Sequence, residues 1–142
     1  MVRVRHLLAR KGNQVWSVED EDPVLEAIQL MADKHIGALP VMRNGELVGV
    51  ISERDYARKV ILLGRSSAET PVWQIMSSPV VTIGPDEGVR HCMEIMTHRR
   101  IRHLPVVEDG RMVGVISIGD LVRAVIEEQE QTIEQLERFI AG

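Results

Sequence analysis

The chain has 142 residues, of which 44% are apolar and 27% charged, with a formal net charge of −4. This size fits one ordinary domain or two very small ones, and the composition is that of a folded globular protein. The acidic balance argues against nucleic acid or an anionic membrane as a partner. In the sequence no apolar run approaches the roughly 20 residues of a membrane span, and the first residues lack a signal peptide's apolar core. The single cysteine, Cys92, excludes an internal disulfide, so we expect a cytoplasmic protein.

The strongest feature of the sequence is an internal repeat. A shift of 65 residues aligns Val15–Val60 with Val80–Val125 without a gap. Within it, 13 of the 25 positions of Ile36–Val60 are identical to those of Ile101–Val125. Identity at this level indicates two copies of one structural unit.

The residues in front of each copy also resemble each other. Val4–Leu8 is similar to Val72–Met76, and three extra residues, Lys11, Gly12 and Asn13, precede the first copy. We call these two stretches the lead-in segments.

Each copy opens with a predicted strand and a predicted helix. The strands are VWSV at 15–18 and VVTI at 80–83, because β-branched and aromatic residues favour extended backbone. Asp22, followed by Pro23 at the first helical position, is expected to cap the helix of the first copy, and Asp86 that of the second. The helices are predicted from apolar residues at helical spacing: Val24, Ile28 and Met31, then Val89, Met93 and Met96.

A hairpin and a second helix complete each copy. Asn44-Gly45 and Asp109-Gly110 separate two apolar runs and accept the positive φ angles of a tight turn. The last helix is expected to begin at Ser52 or Ser117, with the serine as N-cap. Each copy therefore reads β-α-β-β-α, and the predicted fold is α/β (α+β). Because one such unit is marginal alone, we expect the two repeats to pack sheet to sheet about a pseudo-twofold axis.

The order of elements, the line hxxLPVhxxGxhhGhIS (h for apolar) and the Ser-x-x-Asp after it resemble the CBS domain, named for cystathionine β-synthase. A pair of such domains is called a Bateman module. The resemblance covers residues 7–63 and 72–128, and leaves 129–142 as a C-terminal helical extension. It implies a stand-alone regulatory module rather than an enzyme.

The resemblance also implies ligands and partners. An adenine nucleotide is expected in two clefts between the repeats, with AMP favoured over ADP, ATP, NAD(H) and S-adenosylmethionine. Two modules are expected to stack face to face as a homodimer, and an unidentified effector protein would read ligand occupancy. Neither a membrane nor nucleic acid is expected as a partner.

The Ser-x-x-Asp phrase is chemically suited to a nucleotide. Ser52 and Ser117 lie where a strand gives way to a helix, where free amides and the helix dipole favour an anion. Asp55 and Asp120 lie one turn further and could accept two charge-assisted hydrogen bonds from a ribose diol. The alternative is structural, with the serine as N-cap and the aspartate as a favourable first-turn charge.

The resemblance predicts unequal clefts. In the family, residues before LPV supply a phosphate ligand to the site whose aspartate belongs to the other repeat. Arg102 and His103 are thus expected at the cleft of Ser52 and Asp55, where binding should tighten as pH falls through about 6.5. Further residues follow the same reasoning: Arg54 as another phosphate ligand, and the uncharged Gly37 and Ala38 facing the cleft of Ser117 and Asp120.

The adenine ring needs a flat apolar slot with polar groups at its edge. Candidates lie at the strand openings and beside the LPV motifs, and most are also expected in the core: Ser17, Val18, Ile36, Pro40, Thr82, Ile83, Ile101 and Pro105. Thr82 is favoured, because its hydroxyl could reach a base edge.

Two other functions stay open. One is an interaction or nucleic-acid-binding module with empty clefts, which would use the basic patch Arg99–His103. The other is an enzyme acting on the nucleotide, although the sequence contains no Gly-rich phosphate loop and no hydrolase-like triad. A metal site at His91, Cys92 and His98 is disfavoured, because the histidines are seven residues apart and zinc requires four convergent ligands.

The carboxyl-terminal segment departs from the repeat. Residues four and three apart form a heptad-like seam: Val122, Ile126, Gln129, Ile133, Leu136 and Ile140. This seam favours a helix that contributes to a homodimer, and the alternative is a solvated helix lying along its own domain.

Overall fold

The structure, a computed structural model, describes residues 2–12 and 14–141. The chain forms two compact units, Val15–Val81 on the one hand and Met1–Gln14 together with Thr82–Gly142 on the other. We call them the central unit and the terminal unit. Asn13, one of the three inserted residues, and Gly142, the end of the C-terminal extension, lie outside the described residues.

Helices and strands follow one another in similar order in the two copies. In chain order they are α1 Val4–Lys11, β1 Val18–Glu19, α2 Val24–Lys34, β2 Ala38–Arg43, β3 Glu46–Ser52, α3 Glu53–Tyr56 continuing as a π-helical segment Ala57–Ile61, a 3₁₀ turn Val72–Gln74, α4 Val89–Arg99, β4 His103–Glu108, β5 Arg111–Ser117 and α5 Ile118–Ala141. The mixed α/β class predicted from the sequence is confirmed.

Each unit contains one small sheet. In the central unit β2 pairs antiparallel with β3, and β1 lies parallel to β2. In the terminal unit β4 and β5 form the same antiparallel hairpin. The register is equivalent in both, since Ala38 faces Ser52 and His103 faces Ser117. This register places the residue that follows each hairpin at the same end of its sheet as the residues before LPV.

The two hairpin turns have the predicted geometry. Asn44 and Gly45 have φ angles of 51° and 80°, and Asp109 and Gly110 have 51° and 75°. Asparagine, aspartate and glycine tolerate this left-handed backbone better than other residues.

The opening strands are shorter than predicted. Of residues 15–18, only Val18 lies in a strand, and of residues 80–83 only Ile83 pairs, through an isolated parallel bridge to Val106. The buried side chains Val18 and Ile83 explain the difference, because each anchors its segment to the sheet edge while the preceding residues stay partly or fully exposed.

The predicted aspartate caps are wrong. Helix α2 begins at Val24 with Pro23 at its N-cap, and α4 begins at Val89 with Gly88 at its N-cap. The Asp22 carboxylate instead accepts a hydrogen bond from the Glu19 amide at 2.9 Å and so closes the turn before the helix.

Asp86 also serves another purpose than the predicted cap. Its carboxylate accepts from the Arg5 guanidinium at 3.2 Å, so it links α1 to the turn before α4.

The lead-in segments are exchanged between the sequence copies. Helix α1 belongs to the terminal unit, where the Leu8 side chain packs on Gly114 of β5. The lead-in of the second copy belongs to the central unit, where Met76 packs on Gly49 of β3. A Cβ atom on either glycine would lie 2.4 Å from the packed side chain, so both strands require glycine for this close approach.

Each unit has an apolar core beneath its sheet. In the central unit the buried cluster includes Val24, Leu39, Ile51 and Ile75. In the terminal unit the buried residues come from α1, the sheet and two helices: Val4, Leu7, Leu8, Ile83, Val89, Cys92, Met96, Leu104, Val106, Ile116, Leu121 and Ala124.

Helix α5 is much longer than its counterpart in the first copy. It runs for 24 residues, and every described residue from 129 to 141 is exposed. This part of the helix is therefore solvated, and its contribution to a homodimer stays a prediction. The apolar seam, with Ile133 and Leu136 each more than half exposed, is left on the surface.

Candidate functional site

Both Ser-x-x-Asp phrases form reciprocal capping boxes. The Ser52 hydroxyl accepts from the Asp55 amide at 3.1 Å, and Asp55 Oδ2 accepts from the Ser52 amide at 3.0 Å. In the second copy Ser117 and Asp120 make the same two bonds, at 3.2 and 2.9 Å. The structural function considered for these residues is thus real, and the serines cap the helices as predicted.

Asp55 has further partners in the central unit. Its Oδ2 also accepts from the Ser52 hydroxyl at 3.0 Å, and Oδ1 lies 3.3 Å from the Ser77 hydroxyl and 3.1 Å from Lys59 Nζ. Lys59 in turn donates to the Ile75 carbonyl at 2.9 Å. Because Asp55 is almost fully buried, a ligand hydroxyl would have to share an oxygen with these donors.

Asp120 is less fully occupied. Its Oδ2 accepts from the Ser117 amide and from Lys11 Nζ, the latter at 2.8 Å. Within the described residues, Oδ1 is contacted by Arg123 alone, at 3.2 Å, and that arginine is exposed. A ribose hydroxyl could therefore reach Oδ1 of Asp120 by displacing only a solvated arginine.

The environment of Asp120 favours its carboxylate form. Burial opposes ionisation, but the hydrogen bonds from Lys11 and from the Ser117 amide outweigh it, so the pKa of Asp120 is lowered. A charged carboxylate is the stronger acceptor for sugar hydroxyls.

His103 lies in the same unit, opposite Ser117 in the hairpin. Burial lowers its pKa, the charges of Lys11 and Arg102 lower it further, and the charge of Asp120 only partly opposes them. The free protein therefore favours the neutral imidazole more than an exposed histidine would. The tightening of binding as pH falls stays a prediction.

The 17 predicted site residues are divided between the two units. The central unit holds Ser17, Val18, Ile36, Gly37, Ala38, Pro40, Ser52, Arg54 and Asp55, and the terminal unit holds Thr82, Ile83, Ile101, Arg102, His103, Pro105, Ser117 and Asp120. The assignment of Arg102 and His103 to a ligand at Asp55 stays a prediction.

Within each unit the residues before LPV approach the start of the following helix. The Gly37 carbonyl accepts from the Glu53 amide at 3.0 Å, and the Arg102 carbonyl accepts from the Ile118 amide at 2.9 Å. The side chains of Arg54 and Arg102 are exposed. Each unit thus has an exposed arginine close to its capping box, Arg54 by sequence and Arg102 through its backbone contact with Ile118.

The adenine candidates are partly core residues. Val18, Pro40, Ile83 and Pro105 are buried, and their side chains support the sheets. The exposed or half-buried candidates are Ser17, Thr82, Ile36 and Ile101, which leaves these four better placed to touch a ligand.

The sequence interpretation missed Lys11, Lys59 and Ser77. Lys59 is four residues after Asp55, a spacing that brings two side chains together on a helix and could have been noticed. Lys11 reaches Asp120 from 109 residues away, and only the packing of α1 on β5 reveals that contact.

Three further features of the described residues concern metal binding, the cysteine thiol and membrane spans. They contain no group of three or more His, Cys, Asp or Glu side chains arranged to hold a metal ion. Burial raises the pKa of the Cys92 thiol to about 11, so that thiol stays protonated. None of the helices in the described part of the chain is both long and apolar enough for a membrane span.

Comparison with known proteins identifies the repeats. The sequence profile of the CBS domain matches residues 4–61 and again 72–127. A relative from Arabidopsis thaliana, "CBS domain-containing protein CBSX3, mitochondrial", is 43% identical over 136 residues. The match covers 92% of this chain and 66% of the relative, so the chain spans just under two thirds of that protein's length.

Solved structures show the same fold. A protein with CBS domains from Burkholderia ambifaria MC40-6 is similar with a TM-score of 0.87 and 44% identity, covering 90% of this chain and 96% of that one. The CBS domain pair of protein MJ0100 is similar with a TM-score of 0.80 and 26% identity, covering 90% and 98%. That pair was solved in complex with 5′-methylthioadenosine and S-adenosyl-L-methionine.

Proposed function

We propose, on the premise that this chain belongs to the CBS domain family and carries two CBS domains in tandem, that its Ser-x-x-Asp sites bind the ribose of an adenosine-containing ligand. The observation that carries the proposal is a pair of buried or half-buried carboxylates, Asp55 and Asp120. Each is held in the first turn of a helix by a capping box. Both ligands of the MJ0100 pair contain adenosine, which supports the same ligand class here.

AMP is the ligand we favour, ahead of ADP, ATP, NAD(H) and S-adenosylmethionine. The cations near the two aspartates support a ligand that carries phosphate. Lys59 contacts Asp55, and Lys11 contacts Asp120. The exposed Arg54 directly precedes Asp55, and the carbonyl of the exposed Arg102 accepts from the Ile118 amide, two residues before Asp120. Guanidinium and ammonium groups both bind phosphate well.

The proposed role is regulatory. Ligand occupancy would shift the population of two conformations, which requires that the ligand bind one of them more tightly. An effector protein would read the change. We place this action in the cytoplasm and in a homodimer, and we propose no catalytic step.

The first experiment is a thermal-shift screen with AMP, ADP, ATP, NAD(H), S-adenosylmethionine and a DNA duplex. A ligand that binds only the folded state raises the melting temperature. We expect AMP to raise it and the duplex to leave it unchanged. A rise with the duplex and none with any adenine compound would favour the nucleic-acid-binding alternative. Sustained conversion of AMP or ATP, followed by chromatography, would instead show an enzyme.

The ribose assignment is tested with 2′-deoxy-AMP and with substitutions of Asp55. We expect Asp55→Ala to weaken AMP binding by about 2–4 kcal/mol, from the loss of two charge-assisted hydrogen bonds. The substitution also removes the partner of the Ser52 amide and of Lys59, so the folded state should lose about 1–2 kcal/mol.

Asp55→Asn is the matched control, because an amide oxygen can still cap the helix while the charge is lost. It should retain stability better than Asp55→Ala and still bind AMP poorly. Equal affinity of the unmutated protein for AMP and 2′-deoxy-AMP would contradict the ribose assignment.

A further inference from the structure

The chain is poor in lysine, and its lysines are placed unevenly. The sequence contains three, Lys11, Lys34 and Lys59. Lys34 lies over the Trp16 ring at 4.3 Å and beside Asp33. The other two place their ammonium groups on the two motif aspartates. This distribution singles out the ammonium–aspartate pairs as features of the sites.

Lys11 is held in place by backbone as well as by charge. Its Nζ donates to Asp120 Oδ2 and to the Val115 carbonyl of β5, both at 2.8 Å. The side chain is 43% exposed, and these two bonds use only two of the three N–H groups of the ammonium. An ammonium with a fixed position and an open side can contact a ligand without first being ordered.

The equivalent place in the central unit is filled differently. Val50, which corresponds to Val115, accepts from the Ser77 amide at 2.8 Å, and the Ser77 hydroxyl lies 3.3 Å from Asp55. In the terminal unit the Lys11 ammonium thus contacts both a strand carbonyl and the motif aspartate. In the central unit the Ser77 amide and hydroxyl make the equivalent two contacts. The central unit obtains its charge from Lys59, which is on the helix that follows β3. Two unrelated positions therefore supply one lysine to each aspartate.

We propose that Lys11 determines the charge of the ligand that the Asp120 site accepts, so that the site selects adenine nucleotides over neutral nucleosides. This inference rests on the proposed function. The phosphate of AMP is attached to the same ribose whose hydroxyls would bind Asp120, so it lies within a Debye length of about 8 Å of the carboxylate. Without Lys11 the Asp120 carboxylate repels the phosphate. With Lys11 the lysine–aspartate pair has no net charge, and the ammonium attracts the phosphate.

The proposal changes the expected difference between the two sites. The resemblance alone implied an uncharged surrounding for Asp120, supplied by Gly37 and Ala38. Lys11 adds a cation that is absent from the repeat, because it belongs to the three residues inserted before the first copy. Charge selection is therefore expected at Asp120 too.

The test uses calorimetry with AMP and adenosine on the full chain carrying Asp55→Asn, which leaves Asp120 as the intact site. In that background we expect Lys11→Met to weaken AMP by about tenfold and to leave adenosine unchanged or tighter. Lys11→Arg should keep the preference for AMP. Lys34→Met is the matched control, because Lys34 contacts Trp16 and Asp33 and not Asp55 or Asp120. It should change neither affinity.

A second measurement covers the case in which Lys11→Met fails to fold. Reductive ¹³C-dimethylation keeps the positive charge and gives three lysine resonances in the unmutated protein, assigned by Lys→Arg substitutions. AMP should shift the Lys11 resonance more than adenosine does, and should leave that of Lys34 in place.

The outcomes separate the two proposals. An unchanged ratio of AMP to adenosine affinity in Lys11→Met, or a Lys11 resonance that AMP does not move, overturns the inference while adenine binding stands. If neither compound binds the unmutated protein, the proposed function falls and the inference falls with it.

Discussion

Among single residues, the fold lowers the pKa of both His103 and Asp120, which favours the neutral form of the histidine and the charged form of the aspartate. Burial disfavours the charged form of both, but Asp120 is compensated by Lys11 and the Ser117 amide, whereas His103 is surrounded by the positive charges of Lys11 and Arg102. The folded protein therefore holds an ionised aspartate beside a neutral histidine. The proposed nucleotide site would offer an acceptor and a lysine cation at neutral pH, with the imidazole as an uncharged neighbour.

The lowered pKa of His103 predicts a loss of stability in mild acid. Between the folded-state pKa and the ordinary value of 6.5, the unfolded chain binds more protons, so the free energy of unfolding falls as pH drops through 6.5. The contribution of Asp120 is constant in this range, because its lowered pKa means that its stabilisation is lost only below about pH 4.

Urea unfolding of the ligand-free protein between pH 8 and 5 measures this effect. We expect His103→Gln to flatten the pH dependence and His98→Gln, at an exposed position of α4, to leave it as it is. The explanation would be wrong if the His103→Gln variant and the unmutated protein had the same slope.

At the level of elements, the close packing of a lead-in segment on a glycine is the feature shared by both units. Leu8 of α1 fits against Gly114, and Met76 fits against Gly49. The two contacts differ in depth. A Cβ atom on Gly49 would crowd the Met76 side chain as far as its Cβ, at 3.2 Å, whereas a Cβ atom on Gly114 would crowd only one methyl of Leu8. The central unit should therefore tolerate crowding less well.

Alanine substitutions at the two glycines test this difference. We expect Gly114→Ala to lower the free energy of unfolding by about 1–3 kcal/mol, because its Cβ would meet Leu8. Gly49→Ala should cost at least as much, because Met76 Cβ would lie 3.2 Å from the new methyl and is fixed to the backbone. Combining Gly114→Ala with Leu8→Ala should recover part of the loss in a double-mutant cycle. Additive effects in the cycle would show that the two residues do not compete for space.

The elements also show what the sequence could and could not predict. Local patterns were sufficient for the hairpin turns at Asn44-Gly45 and Asp109-Gly110 and for the serine caps at Ser52 and Ser117, because a few neighbouring residues determine these structures. The strands at 15–18 and 80–83 were predicted too long, because pairing depends on the sheet edge available and not on propensity alone.

The cations of the sites were harder to predict. Lys11 reaches Asp120 only because α1 packs in the terminal unit, and the regular shift of 65 residues gives no hint that the lead-in segments are exchanged. A contact of this sequence separation follows from tertiary packing, which periodicity does not reveal.

For the molecule as a whole, helix α5 stands out because it exposes a row of apolar side chains. Its apolar seam is exposed along residues 126–140, and Phe139 beside it is 85% exposed. A helix with such a stripe is stabilised by a second helix. We therefore expect the proposed homodimer to form through this segment.

Charged substitutions in the seam test this assignment. Ile133→Glu combined with Leu136→Glu should convert a dimer to a monomer in sedimentation velocity, because two buried charges in each helix would face apolar side chains. Gln131→Glu together with Gln135→Glu is the matched control with the same added charge outside the seam, and it should leave the mass unchanged. A dimer that survives the seam substitutions would place the interface elsewhere.

The exchange of the lead-in segments also constrains the order of events during synthesis. Residues 15–81 are contiguous, so every segment of the central unit is synthesised before most of the terminal unit. Helix α1 is made before them, yet its partner strand β5 begins about a hundred residues after it, which at roughly 5–20 residues per second is a delay of about 5–20 s. Throughout that interval the face of α1 formed by Val4, Leu7 and Leu8 has no strand to cover it. A nascent chain arrested before Arg111 would thus contain the whole sequence of the central unit and an α1 helix without its partner strand. Exposed apolar helices of this kind are the surfaces that chaperones and proteases recognise.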